Sequence, residues 1–281
     1  MRGPHAHPPQ LALDLHTLVR QAQRRDVLRL LGAVSLLPLF GCGAGAEALG
    51  SSAGDGGTDA SQSGDGGTTG SGCTRIPEET AGPYPGDASN GPNALALSGI
   101  VRSDLRASLG GSSSVATGVP LTITLTLVNP VASCAPLVGA AVYVWHCDAL
   151  GRYSLYSAGV TGESWLRGVQ ASDASGQVRF TTVFPGCYSG RWPHVHFEVY
   201  PSLAMASSSA NKLATSQLAL PASACAEVYA TGGYAGSAAN LAGVSLATDN
   251  VFRDGATLET PTVSGTVSAG YAAALTVGIV P

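Results

Sequence analysis

What the chain lacks narrows the field quickly. It carries one lysine, Lys212, among 14 basic residues, against 18 acidic ones, for a formal charge of −4. That balance offers no basic patch to track phosphates, which argues against a nucleic-acid partner. Six cysteines in 281 residues are too few for a disulfide-dense scaffold. No Cys-x-x-Cys pair marks a zinc site or a redox dithiol. The glycines after Leu109 have neither the spacing nor the strand–helix setting of a phosphate-binding loop, and no internal repeat is visible. What remains is a neutral to mildly acidic chain, long enough for one large domain or two small ones.

The first 72 residues read as processing signal and tether, not as fold. Arg24 and Arg25 stand in QRRDVLRLL, just ahead of an apolar stretch from Leu30 to Gly41. That stretch is too short to span a bilayer as a mature helix. A twin arginine before a short apolar run is the pattern of the export route for folded proteins; a basic amphipathic surface helix is the plainer alternative. The run ends at LPLFGC, and Cys42 after Gly41 resembles a lipoprotein processing site, although Phe40 fits it awkwardly. Residues 43–72 are dominated by Gly, Ser, Thr, Ala and Asp, cannot build a core, and read as a flexible linker. The expected organisation is therefore an export signal with a candidate lipid-bearing cysteine over 1–42, a linker over 43–72, and a folded domain over 73–281. Such a chain is exported, to the periplasm or cell envelope, with membrane attachment through Cys42 if that residue is lipidated.

From Cys73 onward short runs rich in Val, Leu, Ile and Thr alternate with turn signals such as DALG, DASG and FPG. Strands are expected at 94–101, 121–127, 140–145, 178–183, 195–200 and 272–279. A turn or two of helix is expected near 212–218 and 222–229. Many short strands with Gly/Pro-rich turns predict an all-β, two-sheet sandwich, not alternating βα units.

The segment FTTVFPGCYSGRWPHVHFEVY holds the chemistry. His194 and His196 are one residue apart on an expected strand, so both imidazoles face the same way. That geometry suits two ligands to one metal, and equally two surface or hydrogen-bonded histidines. Outside the N-terminal region, the only other histidine is His146. Tyrosine bears on which metal. Tyr188 precedes the Gly-Arg turn leading to the histidines, and Tyr153 follows WHCDALG. A buried tyrosine is more often core with its hydroxyl bonded, but a phenolate is a hard anionic donor suited to ferric iron. Two phenolates with two imidazoles would offset two of iron's three charges and leave a position open for substrate.

Four segments in order, ETAGPYPGD, PLVGAAVYVWHCDALGRYS, LRGVQASDASGQVRFTTVFPG and YSGRWPHVHF, resemble the intradiol ring-cleavage dioxygenases, from about Glu79 to the C-terminus. The resemblance implies a sandwich of that type with long loops around a metal site. It also implies Fe(3+) held by Tyr153, Tyr188, His194 and His196, with Tyr156 a nearby decoy. The reaction it implies inserts both atoms of O2 into a catechol-type diol and yields a muconate-type diacid. Tyr188 would be the axial tyrosinate that substrate displaces and that takes up a substrate proton. Arg191 would steady charge developing on the ring. Tyr84 would approach the substrate pocket, and Trp145 would pack beside the site.

Departures from the family pattern leave questions. Tyr143 stands where an acidic residue is frequent, and Cys187 where Trp or Pro is common, directly before Tyr188. The helical N-terminal dimerisation region of catechol dioxygenases has no visible counterpart, and oligomeric state is not legible. Five cysteines follow Cys42, an odd number, so at least one stays unpaired whatever the connectivity. Arg102, Arg167 and Arg253 are the available anchors for a substrate carboxylate. Two alternatives stay open: a non-enzymatic envelope module that binds an aromatic ligand or a protein partner, and a different oxidoreductase on the same site.

Overall fold

The computed structural model describes residues 73–281. Arg24, Arg25, the apolar run, Cys42 and the linker lie outside the described residues. Among the described residues no helix is long and apolar enough to cross a membrane.

Nine strands form two sheets. In the first, β1 (Pro120–Asn129) pairs antiparallel with β5 (Gln177–Val183) and, at its far end, with β2 (Ala135–Pro136). Its other edge pairs parallel with β9 (Gly270–Gly278), which pairs antiparallel with β8 (Thr262–Thr266). The second sheet runs β4–β3–β6–β7, all antiparallel, with β3 at Ala141–Trp145, β4 at Arg167–Ala171, β6 at His194–Tyr200 and β7 at Ala214–Ala219. Two short helices follow, α1 (Ala222–Tyr229) and α2 (Ser237–Ala242).

The main core lies between the sheets. Leu121, Ile123, Leu125 and Leu127 of β1 and Phe180 of β5 pack in one cluster with Val142 and Val144 of β3 and Val195, Phe197 and Val199 of β6. Side chains alternate across a strand, so the intervening residues of β3 and β6 face outward. They do not meet water. Tyr143, Trp145, His194, His196 and Glu198 are all buried, beneath the segment that precedes β1 and the loops around the site. The second sheet is thus covered on both faces, and its outer layer holds a smaller cluster of Tyr143, Trp145, Tyr153, Val169 and Tyr200.

Five of the expected strands are present, at most two residues longer or shorter at either end, and 222–229 is helix. The phrase LRGVQASDASGQVRF forms β4, a turn and β5, and the turn carries the chain from one sheet to the other. Asp173 Oδ1 accepts from the N–H groups of Ser175 and Gln177 and fixes that turn. Two expectations fail. Residues 94–101 are not a strand: Ala94–Ala96 is a short 3-10 turn, closed by Leu97 N–H to Ala94 C=O and followed by Ile100 N–H to Leu97 C=O. Its apolar residues seal the outer cluster as separate anchors. Residues 212–218 are not helix, because 214–219 complete the edge of the second sheet against β6; a waiting partner strand overrides local helix preference. β8, β2 and α2 are additions whose short, polar or Ala-rich sequences carry little periodicity.

One disulfide, Cys73–Cys134, ties the start of the domain to the turn after β1, 61 residues on. Constraining a loop of that length in the unfolded chain is worth about 4 kcal/mol in the chain-entropy account. Among the described residues, Cys147, Cys187 and Cys225 are free and buried.

Ile123 is fully buried and stands in register with Phe180 on one side and Ala273 on the other. Ile123→Ala is expected to cost about 2–5 kcal/mol, read from the urea midpoint of the purified chain. A loss below about 1 kcal/mol would contradict the packing described.

Candidate metal centre

The register of the second sheet sets one row of outward side chains across all four strands. Arg167 stands opposite Trp145, Trp145 opposite His196, and His196 opposite Gln217. The rings of Trp145 and His196 stack at 4.8 Å and 4°. His194, two residues before His196 on β6, faces the same way.

Both tyrosines enter from loops. Tyr153 follows the turn after β3, where Asp148 Oδ1 accepts from Leu150 N–H and Arg152 N–H, and its own N–H donates to Ser157 Oγ. Tyr188 lies in the β5–β6 connection. Gly151, at φ +79°, lets the first loop close onto the second, since a side chain there would meet Tyr188 Cβ at 3.1 Å.

Four donor atoms converge. His194 Nε2 is 3.1 Å from His196 Nε2, 3.2 Å from Tyr188 Oη and 3.4 Å from Tyr153 Oη, and the two phenol oxygens are 3.5 Å apart. Nδ1 of His194 lies 2.5 Å from the Trp192 carbonyl, so it carries the proton and Nε2 presents its lone pair to the other three atoms. His196 Nδ1 is buried without a hydrogen-bond partner, a loss of roughly 1–3 kcal/mol. The fold bears that cost at a position where ring orientation is fixed by stacking on Trp145. Burial pushes His194 down to about 3 and His196 well below the usual imidazole value, and it raises Tyr153 well above an ordinary phenol. Without a cation, the two imidazoles and Tyr153 are therefore neutral. A cation among them would be held by Tyr153, Tyr188, His194 and His196 and would supply the missing positive charge. No group of three or more His, Cys, Asp or Glu that could hold a metal ion exists among the described residues; the cluster is half phenol, a donor set that would suit a hard, highly charged ion.

Tyr156 is a bystander: its hydroxyl donates to Asn90 Oδ1 at 2.8 Å and accepts from Gly86 N–H at 2.9 Å. Cys187 does not displace its neighbour. Its thiol turns into the main core against the Arg191 carbonyl, and burial pushes it up to about 12, so it is inert. Its backbone is held by Ser237 Oγ and Asn240 Nδ2, at the start and middle of α2.

The segment before β1 closes the site. Gly82, at φ +68°, lies over His196, where a Cβ would sit 3.4 Å from Cε1. The Tyr84 ring lies 4.9 Å from that of Tyr153 and 5.2 Å from that of Tyr156. Arg167 fastens this segment. It is buried, and its guanidinium donates to Tyr84 C=O, Pro85 C=O, Tyr143 Oη, Ser154 Oγ and Ser154 C=O. All five N–H donors are used, so Arg167 is no substrate anchor. Arg102 likewise donates to the carbonyls of Arg167, Ala107 and Ser164. Of the three arginines weighed for that role, Arg253 alone is exposed. Tyr143, in place of an acid, donates to Pro85 C=O at 2.8 Å and serves the same clamp.

Arg191 is buried beside the cluster. Its Nε donates to Asp249 Oδ2 at 2.9 Å and Nη2 to Gln217 Oε1 at 2.8 Å. Asp249 and Gln217 carried no motif that would single them out in the sequence. Gln217 was detectable only through strand register with His196.

A family model described as Dioxygenase matches residues 99–224, a span that contains Tyr153, Tyr188, Arg191, His194 and His196. No curated protein matches the chain. Among solved structures, the chain is similar to an intradiol ring-cleavage dioxygenase from Tetranychus urticae at 24% identity and a TM-score of 0.59, over 74% of this chain and 96% of that one. A second dioxygenase structure matches at 24% identity and a TM-score of 0.58, over 74% and 95%. The dioxygenase domain of a carbohydrate-binding fusion from Streptomyces sp. SirexAA-E matches at 23% and 0.45, over 72% and 95%, and carries no weight at that score. In fold, the described domain is similar to these dioxygenase structures.

His146, the third histidine of the domain, bonds through Nδ1 to Cys147 C=O and through Nε2 to Thr182 Oγ1, and burial pushes it down to about 4. A lowered histidine pKa means that the unfolded chain binds the extra proton first. The contribution is intact above about pH 6.5 and lost progressively as pH falls to about 4, a change on the order of 3 kcal/mol. His146→Gln is expected to remove that part of the slope in urea titrations at several pH values. An unchanged slope would show that His146 is protonated in the folded chain.

Proposed function

We propose that the chain is an intradiol dioxygenase that inserts both atoms of O2 into a catechol-type ring, at a ferric site held by Tyr153, Tyr188, His194 and His196, and releases a muconate-type diacid. One observation carries this reading: the two phenol oxygens and two imidazole nitrogens meet at 3.1–3.5 Å, delivered by two loops and one strand. Iron(III) bound there would supply Lewis acidity toward the catechol oxygens.

The remaining roles follow from burial and position. Tyr153 is 2% exposed and locked in the outer cluster, so it stays in place. Tyr188 is only half-buried; it is the ligand assigned to leave the centre and accept a substrate proton. His194 is held in its tautomer by the Trp192 carbonyl and His196 in its plane by Trp145. Arg191 places a fixed positive charge where the ring gains electron density. Tyr84 and the segment around it form a wall that keeps water from the ring.

The N-terminal pattern supports an exported, envelope-located enzyme, with Cys42 as the candidate lipid anchor and 43–72 as its tether. The Cys73–Cys134 disulfide supports the same placement, since such bonds persist in oxidising compartments.

Iron-loaded protein is expected to cleave catechol under 18O2 with both labels in the diacid. Tyr153→Phe and His196→Ala are each expected to lower iron affinity and kcat by at least about 100-fold. Stoichiometric zinc in the purified chain, with no O2 uptake on catechol after iron loading, would overturn the proposal in favour of a binding module.

A further inference from the structure

We propose that Asp249 is a positioning residue of this site, holding the Arg191 guanidinium in one orientation toward the substrate; the inference rests on the dioxygenase reading above. Asp249 comes from the loop after α2, remote in sequence from every ligand, and is fully buried. Its Oδ2 accepts from Arg191 Nε at 2.9 Å and from Trp192 N–H at 2.7 Å. Its Oδ1 accepts from the N–H groups of Val251 and Phe252 at 2.8 and 3.1 Å. One carboxylate therefore fixes three things. It orients the guanidinium. It pins the peptide at Trp192, whose carbonyl sets the His194 ring. It also shapes the turn that places Phe252, whose ring lies 5.9 Å from the Arg191 guanidinium carbon and 6.4 Å from the ring of His194.

The network continues to the other wall. Arg191 Nη2 donates to Gln217 Oε1, and Gln217 Nε2 donates to Thr80 C=O at 2.8 Å, at the start of the segment that lays Gly82 over His196. Arg191 is thus gripped from two sides, with Nε and one terminal nitrogen committed and the guanidinium plane fixed.

A neutral acceptor would not do the same work. Arg191 is 8% exposed, and an uncompensated cation at such burial costs several kcal/mol. Burial pulls the Arg191 pKa down, but Tyr188, Asp249 and Tyr153 outweigh it and the net shift is upward. With Asp249 in place the charge is neutralised away from the ligand oxygens. Without it, one of the two side-chain acceptors that fix the guanidinium plane is lost, and the charge is no longer held in one orientation.

The test uses Asp249→Asn, which keeps the shape and one acceptor oxygen, alone and combined with Arg191→Met. Iron content should stay near wild type, while kcat falls by about 10–100-fold and KM changes less. In the Arg191→Met background the Asp249→Asn effect should largely vanish. In the iron-free chain, the slowly exchanging Arg191 Nε–H signal in 15N NMR should be lost in Asp249→Asn. A purely structural Asp249 would instead lower stability, iron content and kcat together, with additive effects in the double variant; that result, or an unchanged kcat, overturns the proposal. If the wild-type chain cleaves no diol at all, the dioxygenase reading fails, and the iron-free NMR signal alone then decides whether Asp249 holds Arg191.

Discussion

The register of the β4–β3–β6–β7 sheet is the constraint on which the rest depends. Because side chains alternate, one register places Arg167, Trp145, His196 and Gln217 in a single outward row. A slip of one residue in β6 would turn both histidines into the apolar core and Val195 and Phe197 out among the loops. The inner face prevents that slip. Val195, Phe197 and Val199 are fully buried against the other sheet, and exposing even one of them would cost about 1.5–3 kcal/mol. The hydrophobic effect therefore aims the histidines, and hydrogen bonds only refine the aim.

An outward row that is nevertheless buried needs a cover, and the cover brings the remaining groups. The segment from Glu79 to Gly86 lies across the row and is fastened by a buried arginine that donates to backbone carbonyls instead of to a carboxylate. That choice suits the location. Five neutral acceptors satisfy the guanidinium in a fixed geometry without placing an anion near the donor cluster. Two loops then deliver the phenols from the open side, Tyr153 packed tightly and Tyr188 half-buried. Charge is handled in the same spirit at Arg191, where a carboxylate behind the guanidinium balances it without competing for the centre.

Much of this was legible in the sequence, for identifiable reasons. HVHFEVY alternates cleanly because one face of β6 is core and the other carries chemistry, so both the strand and the shared direction of His194 and His196 could be read. Tyr153 and Tyr188 were legible only through the resemblance, since nothing in a tyrosine's local sequence states where its hydroxyl goes. Arg167 was misread as an available anchor because its partners, at Pro85 and Ser154, are set by tertiary closure. Residues 94–101 and 212–218 misled for opposite reasons: an apolar run that seals a lid needs no strand, and a mixed run beside an unpaired edge becomes one. Asp249 and Gln217 were invisible because an acid in a loop and a glutamine in a strand acquire meaning only from what the fold sets beside them.

The most direct test of the central claim, a ferric centre with two phenolate and two imidazole ligands, is the visible absorption spectrum of the iron-loaded chain before and after anaerobic addition of catechol. The account predicts a broad tyrosinate-to-iron band that moves to longer wavelength as catechol binds. A folded, iron-loaded chain with no visible band, or a band that catechol leaves unmoved, would contradict it.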